Sequence, residues 1–370
     1  MGSARLHICL IAVEIFAWGK YGGFGRATRT IGRELVKRGI TVSAIVPRRA
    51  NQEPIANLDG IQVHGLTLSG LLGGGNPYQH VQADIYHSQE PSLGTYLAQH
   101  AQPLARHVVT FRDTRDGADW RIERGLPSMS VLQVLGNRLY EDNWLVHRAV
   151  RRADRCYVAA QMLVTKARMK YGLLHDPEFL PTPVLVPDDV EKDPVPTVCY
   201  VGRWDRRKRP ELFFELARAF PRVRFLAAGK SRDPAFETML RDRYGNLANV
   251  EMLGFVDQFS GTDLSRLLSR SWILVNTAAR EGLPNAFIEA AAHGCAILSA
   301  VDPDSFASRF GHHAADDDFV RGLNSLLDSN HWRQLGEAGR NYVRRVFSLK
   351  PAIDRHIQIY TELLAQQPRT

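Results

Sequence analysis

Two carboxylates stand eight positions apart in the stretch NTAAREGLPNAFIEAAAHGCAILSA (276–300): Glu281, and Glu289 beyond a Gly-Leu-Pro-Asn turn. The strand-like run WILVN (272–276) ends just before Glu281, so that residue falls in a loop at a strand's carboxyl end. A helix is predicted from Asn285, a good N-cap residue, to Gly294. Glu289 then sits about one turn in, and helical side chains lean back toward the N-terminus, so both carboxylates reach the space above the helix start. Free backbone N–H groups face the same space and favour a negatively charged ligand there. Carboxylates repel phosphate, so their own partners are better sought among hydroxyls, those of a sugar and a ribose. Taken alone, the spacing favours one exposed loop glutamate and one helical glutamate with no joint role.

A second group changes the balance. YVGRWDRRKRPELF (200–213) puts Arg203 and Lys208 in a loop directly after a strand and before a helix. Two cations beside a helix N-terminus suit a diphosphate, Arg offering a planar fork and Lys a point charge. Arg206, Arg207 and Arg209 read as ordinary loop charges. A third group, YGGFGRATRTIGRELVKRGITV (21–42), sets glycines ahead of an amphipathic helix, where backbone can approach a phosphate or sugar closely. It does not complete the G-x-G-x-x-G dinucleotide pattern.

The elements that must position these residues alternate along the chain. Strand-like runs include LHICLIAV (6–13), VSAIV (42–46), DIYHS (84–88), HVVTF (107–111), TVCYVG (197–202), VRFLAAG (223–229) and AILSA (296–300). Amphipathic stretches cover 26–39, 210–220, 263–271, 285–294, 319–329 and 351–366. Such alternation predicts parallel sheets covered on both faces, with ligand loops at the carboxyl ends of the strands. The pattern restarts after the proline- and acid-rich segment PTPVLVPDDVEKDPVPT (181–197), read as an interdomain linker. Two α/β domains follow: 1–185, and 190–348, with a last helix about 350–370 that has no place in the second sheet.

At 370 residues, 44% hydrophobic and 23% charged, the chain is of ordinary globular composition with room for two cores. No apolar run approaches the roughly 20 residues of a membrane-spanning helix. Cys9, Cys156, Cys199 and Cys295 lie scattered in apolar settings, which predicts reduced core thiols and neither a zinc site nor a disulfide framework. The net charge of +8 is uneven: residues 1–185 carry 22 Lys+Arg against 15 Asp+Glu, the remainder 25 against 24. A basic first half suits an acidic substrate or an anionic membrane surface, or is simply solvated. Nothing in the sequence points to nucleic acid.

Together, residues 21–42, VGRWDRRKRP (201–210), LAAG (226–229), LGFV (253–256) and EGLPNAFIEAAAHGCAIL (281–298) resemble family 4 of the retaining glycosyltransferases, and they come in that family's order. The resemblance implies the GT-B fold: two Rossmann-like domains facing a central cleft, with the C-terminal helix crossing back to the first. It implies that Arg203 and Lys208 bind a donor diphosphate and stabilise charge on the departing nucleotide. Glu281 would contact hydroxyls of the donor sugar, Gly282, Leu283, Pro284 and Asn285 would complete that pocket through their backbone, and Glu289 would hold the ribose. Gly254, Phe255 and Val256 would line the base, with Gly229 in the same donor site and Gly23 against the phosphates. Transfer is expected at the anomeric carbon with retention, with no cofactor and no metal, the cations taking its place.

Two features depart from the family pattern. Many members carry a His-Asp pair where this chain has Arg112 and Asp113; the histidine helps hold the donor sugar. We expect Arg112 to face the cleft as a sugar or acceptor contact, with His87 a distant substitute for the histidine. The segment AVDPDSFASRFG (300–311) stands where a glycine-containing loop is more usual. The expected function is a cytoplasmic hexosyltransferase moving a sugar from a nucleotide donor to a hydroxyl of a glycan, lipid-linked or small-molecule acceptor, with peripheral association at the inner membrane face compatible with the basic half. The alternatives are a nucleotide-sugar epimerase of the same fold and a non-catalytic sugar-nucleotide binder.

Overall fold

The computed structural model describes residues 6–366 apart from 17, 21, 50–51, 68–69, 71–74, 127–129, 260 and 262. Tyr21 of the glycine loop, residues 1–5 of the first expected domain and residues 367–370 of its expected last helix lie outside the described residues. The first half runs β1 (His7–Ile11), β2 (Ile15–Phe16), β3 (Gly19–Lys20), α1 (Gly23–Lys37), β4 (Thr41–Pro47), β5 (Ile55–Leu58), β6 (Ile61–Leu66), α2 (Pro77–His80), β7 (Ile85–Ser88), α3 (Leu93–Ala101) and β8 (Arg106–Phe111). It continues through α4 (Gly117–Gly125), α5 (Val131–Glu141), α6 (Trp144–Arg151), β9 (Arg155–Val158), α7 (Leu163–Tyr171) and β10 (Glu178–Phe179). The second half runs β11 (Thr197–Val201), α8 (Pro210–Ala219), β12 (Arg224–Ala228), α9 (Pro234–Tyr244), β13 (Val250–Gly254), α10 (Asp263–Arg270), β14 (Ile273–Asn276) and α11 (Asn285–Ala292). It ends with β15 (Ala296–Ser299), α12 (Phe306–Phe310), β16 (Gly311–His313), α13 (Phe319–Leu327), α14 (His331–Val346) and α15 (Leu349–Leu364).

The chain divides into two units: 1–116, 135–183 and 349–370 form one, 117–134 and 184–348 the other. The first holds a sheet of order β10-β9-β8-β7-β1-β4-β6-β5, parallel except where β5 pairs antiparallel with β6. β1, β4, β7 and β8 at its centre are buried almost throughout, as strands covered on both faces are. The last helix, α15, belongs here: Ile353, Ile359, Tyr360 and Leu363 share a core with Ile8, Val42 and Ile85. That accounts for a helix with no place in the second sheet.

The second unit holds an all-parallel sheet of order β13-β12-β11-β14-β15-β16. In sequence terms this is 3-2-1-4-5-6, the doubly wound order, whose direction reverses between β11 and β14. The loops after those two strands are the ones that carry Arg203, Lys208 and Glu281. Phe213 and Phe214 of α8 are fully buried beneath, against Phe225 and Tyr244. Burial of each such ring contributes about 2 kcal/mol.

Two boundaries differ from expectation. Residues 117–134, assigned by sequence to the first domain, group with the second unit, because α4 is tied there by ion pairs described below. The segment 181–197 is no free linker from Val184 onward. Asp193 accepts from Arg270 Nε at 2.9 Å, its carbonyl accepts from Trp272 Nε1 at 2.8 Å, and Lys192 Nζ donates to the carbonyls of Leu268 and Ser271. Lys192 and Asp193 hold the segment against the end of α10 and the start of β14.

Candidate active site

The loop from Gly202 to Arg209 leaves β11 and enters α8 through Pro210 at the first helical position, where a missing N–H costs nothing. Arg209, the cap, takes a left-handed φ of 47°. It is held there by Nε donating to the carbonyl of Thr277 at 2.7 Å and by a bidentate pair with Asp317 at 2.6 and 2.8 Å. Thr277 Oγ1 donates to the carbonyl of Lys208 at 2.7 Å, and Ala279 N donates to that of Arg207 at 2.9 Å. These bonds stitch the β11 and β14 loops together, so side chains 73 positions apart meet: Lys208 Nζ donates to Glu281 Oε1. Arg203, by contrast, keeps a partly exposed guanidinium, its Nη2 3.5 Å from Asp205 Oδ2.

An alternating ion network extends from that pair. Arg207 Nη1 lies 3.9 Å from Glu281 Oε2 and donates to the carbonyl of Arg280 at 2.9 Å. Its Nε is 3.4 Å from Glu123 Oε1, close enough for ion pairing but not aligned for a hydrogen bond. Arg280 Nη1 is 3.7 Å from the same Glu123 oxygen, and Arg280 Nε is 2.7 Å from Asp119 Oδ1. Three acids, Asp119, Glu123 and Glu281, thus balance Arg207, Lys208 and Arg280. Arg207, Glu123, Arg280 and Asp119 are each no more than 13% exposed, so charge balance here is a condition of folding. Sequence reading missed these four. Arg207 looked like one loop charge among several, and Asp119 and Glu123 lie 88 and 84 positions from it and 161 and 157 from Arg280; their i, i+4 spacing on one helix was the only signal.

The helix carrying Glu289 starts at Asn285, but the cap is Pro284, in extended conformation, and no side chain caps it. Asn285 as N-cap is therefore corrected to first helical residue: the proline ring already fixes the turn, and Phe287 N closes it on the carbonyl of Pro284 at 3.0 Å. One carboxylate oxygen of Glu289 is buried. The Glu289 backbone carbonyl accepts from His293 Nδ1 at 2.7 Å, while His293 Nε2 meets Ser265 Oγ at 2.8 Å. Burial holds the His293 imidazole down at a pKa of about 4. Gly294, with φ of 71°, ends the helix.

Gly229 and Gly254 sit at the ends of neighbouring strands, Gly229 N donating to the carbonyl of Gly254 at 2.7 Å. A Cβ on Gly229 would run into the Gly202 carbonyl oxygen and stand 2.6 Å from Trp204 Nε1. Its glycine is thus required by loop packing. Gly254 has φ of 73° with open space around it, and Phe255 beside it is 46% exposed. In the departing loop after β15, Asp302 caps the turn of α12 through Ala307 N at 2.8 Å and Ser308 N at 3.1 Å; Asp304 and Ser305 both take left-handed φ.

The first unit reorders the remaining expectations. Gly23 opens α1, but the carboxylate of Glu14 already accepts from Gly25 N at 3.0 Å at that helix start. Gly25 is glycine because a Cβ would meet Phe16 N at 2.8 Å. His87 is fully buried, Nδ1 2.7 Å from Tyr360 Oη and Nε2 2.7 Å from Thr110 Oγ1. Its role as a sugar contact is withdrawn: both ring nitrogens are spent joining β7 to β8 and α15. Arg112 is 6% exposed, with Nη1 donating to Thr182 Oγ1 and Nη2 to Gln89 Oε1, both at 2.7 Å. Burial lowers its pKa to about 10. Its guanidinium therefore braces the carboxyl ends of strands within this unit rather than standing open to a ligand. Asp113 N, with Arg112 N, donates to Glu90 Oε2 at 3.0 and 2.6 Å, and the Asp113 carboxylate pairs with Arg115 at 3.3 Å.

Comparison with known proteins bears on the arrangement as a whole. Residues 186–342 match the model of Glycosyl transferases group 1, and residues 7–148 match that of Starch synthase catalytic domain. The chain superposes on sucrose-phosphate synthase from Thermosynechococcus elongatus at TM-score 0.74, 17% identity, covering 98% of this chain and 100% of that one. It has the GT-B glycosyltransferase fold. The Anabaena protein HepE in complex with UDP-glucose gives TM-score 0.70 at 14% identity over 98% and 100% of the two chains. The pneumococcal O-GlcNAc transferase GtfA in complex with UDP and GlcNAc gives 0.69 at 9%, with the same coverage. No curated protein matches the sequence itself. The group 1 match includes Arg207, Lys208, Arg280 and Glu281, and the starch synthase match includes Asp119 and Glu123. No helix among the described residues is long and apolar enough to cross a membrane.

Proposed function

We propose that this GT-B chain is a retaining glycosyltransferase of the family 4 kind, moving a hexosyl group from a nucleotide sugar to an acceptor hydroxyl. The observation that carries the reading is the meeting of Lys208 and Glu281 at the reversal point of the second sheet, with Arg203 in the same β11–α8 loop as Lys208. That is where a doubly wound fold binds ligands, and several solved neighbours are recorded with UDP, UDP-glucose or ADP. In the proposed reaction the bond from the anomeric carbon to the diphosphate oxygen breaks and its electron pair leaves with the nucleotide. A bond from that carbon to the acceptor oxygen forms on the same face, and the acceptor proton passes to the departing phosphate. Arg203 and Lys208 offset the charge growing on the diphosphate, a role that makes a metal or other cofactor unnecessary. Lys208, held by Glu281 before the donor arrives, then bridges the carboxylate and the phosphates. Glu281 takes sugar hydroxyls, the 282–285 backbone closes the pocket, Glu289 takes the ribose, and the 254–256 strand end with Gly229 borders the base.

Nucleotide release from a panel of UDP-, GDP-, ADP- and dTDP-sugars, run with EDTA, tests the reading. One donor should turn over in wild type and lose at least about a hundredfold in both Lys208→Ala and Glu281→Ala, the scale for removing one transition-state charge partner. Equal turnover in wild type and both variants would refute it. A donor that protects against heat yet is never turned over with any acceptor would instead support the non-catalytic binder.

A further inference from the structure

Helix α15 runs antiparallel to the strands it covers in the first unit. Tyr360 Oη stands 2.7 Å from His87 Nδ1, level with Thr110, while Arg106 at the start of β8 donates from Nη2 to the Gln366 carbonyl at 3.0 Å, just past the helix end. One turn before Tyr360 stands His356, its ring 6.1 Å from that of His87. Gln89 follows His87 by two positions and Arg112 follows Thr110 by two, so both lie on the same helix-covered face, one step nearer the carboxyl ends of β7 and β8. Gln89, Arg112 and His356 thus share one layer, in side chains 2%, 6% and 1% exposed. Three polar atoms of that layer have no partner among the described residues: Gln89 Nε2, Arg112 Nε and His356 Nε2. Their chemistry follows from the bonds that their groups do make. A guanidinium only donates, so Gln89 turns Oε1 to Arg112 Nη2 and is left with its amide NH2. A carbonyl only accepts, so His356 donates Nδ1–H to that of Ala352 at 2.8 Å. Burial, with the Arg112 charge, holds the imidazole down at a pKa of about 4, so Nε2 keeps its lone pair at neutral pH. We infer that this layer binds an internal water, which accepts from Arg112 Nε and Gln89 Nε2 and donates to His356 Nε2. Two donors and one acceptor select such a molecule: an anion would meet the His356 lone pair, and a cation would meet the guanidinium. Three partners are the usual complement of a buried water, and without it each atom bears its full desolvation cost. The water ties α15 to the strand ends whose loop Glu90 clamps by accepting from Arg112 N and Asp113 N. All of these groups belong to the first unit, and none takes part in the donor-site reading.

The test is a crystal structure of the full chain at a resolution that shows bound water, with and without a bromide soak. A density peak is expected at about 2.7–3.2 Å from Arg112 Nε, Gln89 Nε2 and His356 Nε2 together, and bromide should leave it unchanged. The variant His356→Leu should lose the peak and lower Tm by about 2–4 °C. Nitrogen-15 spectra of the labelled wild type give a reading that needs no variant: the His356 Nε2 resonance should lie upfield of that of an unbonded imidazole lone pair. No peak in the wild type, direct bonds among the three atoms, or a resonance at the unbonded position overturns the inference. So does a peak that bromide replaces, which would make this an anion site, or one that His356→Leu keeps unaltered.

Discussion

Replacing Glu123 by Gln removes one negative charge from the centre of the ion network without changing side-chain size. Glu123 Oε1 is 3.4 Å from Arg207 Nε and 3.7 Å from Arg280 Nη1, so both guanidiniums lose a counter-charge. Breaking a fully buried pair costs about 3–5 kcal/mol. Here Arg280 keeps Asp119 at 2.7 Å and Arg207 keeps the Arg280 carbonyl at 2.9 Å, which places the expected loss at about 2 kcal/mol. For a unit of this size that lowers Tm by about 4–8 °C. A second effect is specific. Arg207 already stands 3.9 Å from Glu281 Oε2, and without Glu123 it closes on that oxygen and competes with donor hydroxyls and with Lys208. Donor turnover should therefore fall about tenfold further than the stability loss explains, at temperatures well below Tm. The double variant Glu123→Gln with Arg207→Gln should recover part of that activity, since the competing cation is gone. Differential scanning calorimetry and nucleotide release read the two effects separately. Unchanged Tm and turnover in Glu123→Gln, or strictly additive losses in the double variant, would refute the claim that α4 sets the state of Glu281.

Two further outcomes follow from buried groups. Folded His293 has its pKa held down to about 4 against an ordinary 6.5, so the unfolded chain binds the proton first as pH falls. Its stabilising contribution is present above pH 6.5 and is lost as pH drops toward 4, by about 3 kcal/mol at most; urea titrations across that window should show a steeper loss in wild type than in His293→Gln. Arg112→Gln should leave Gln89 Oε1 and Thr182 Oγ1 short of a donor and destabilise by about 1–3 kcal/mol. Donor preference should stay as it was, and a changed sugar preference at unchanged Tm would reverse the assignment of Arg112 as a brace.

Local features were legible in the chain. The strands around Leu10, Val109, Cys199 and Ile297 announce themselves as short apolar runs, and α8 by Pro210 ahead of an amphipathic stretch, because periodicity and capping act over a few residues. The meeting of Lys208 and Glu281 was also within reach, since both follow strands and doubly wound sheets gather such loops. His87 and Arg112 were misjudged because sequence does not show whether a polar side chain finds partners inside the fold. His87 meets Thr110 and Tyr360, 23 and 273 positions away; Arg112 meets Thr182, 70 away. The network of Asp119, Glu123, Arg207 and Arg280 was equally invisible.

What the sequence by itself determined is the α/β alternation, the two sheets, and the residue types held ready at strand ends. Only the tertiary structure decided that α4 leaves the first unit for the second and that Glu14 fills the start of α1. The physical reason is range. Backbone preference and side-chain period are properties of neighbours along the chain, whereas the cost of burying a charge is met by whichever opposite charge the folded sheet brings within 4 Å.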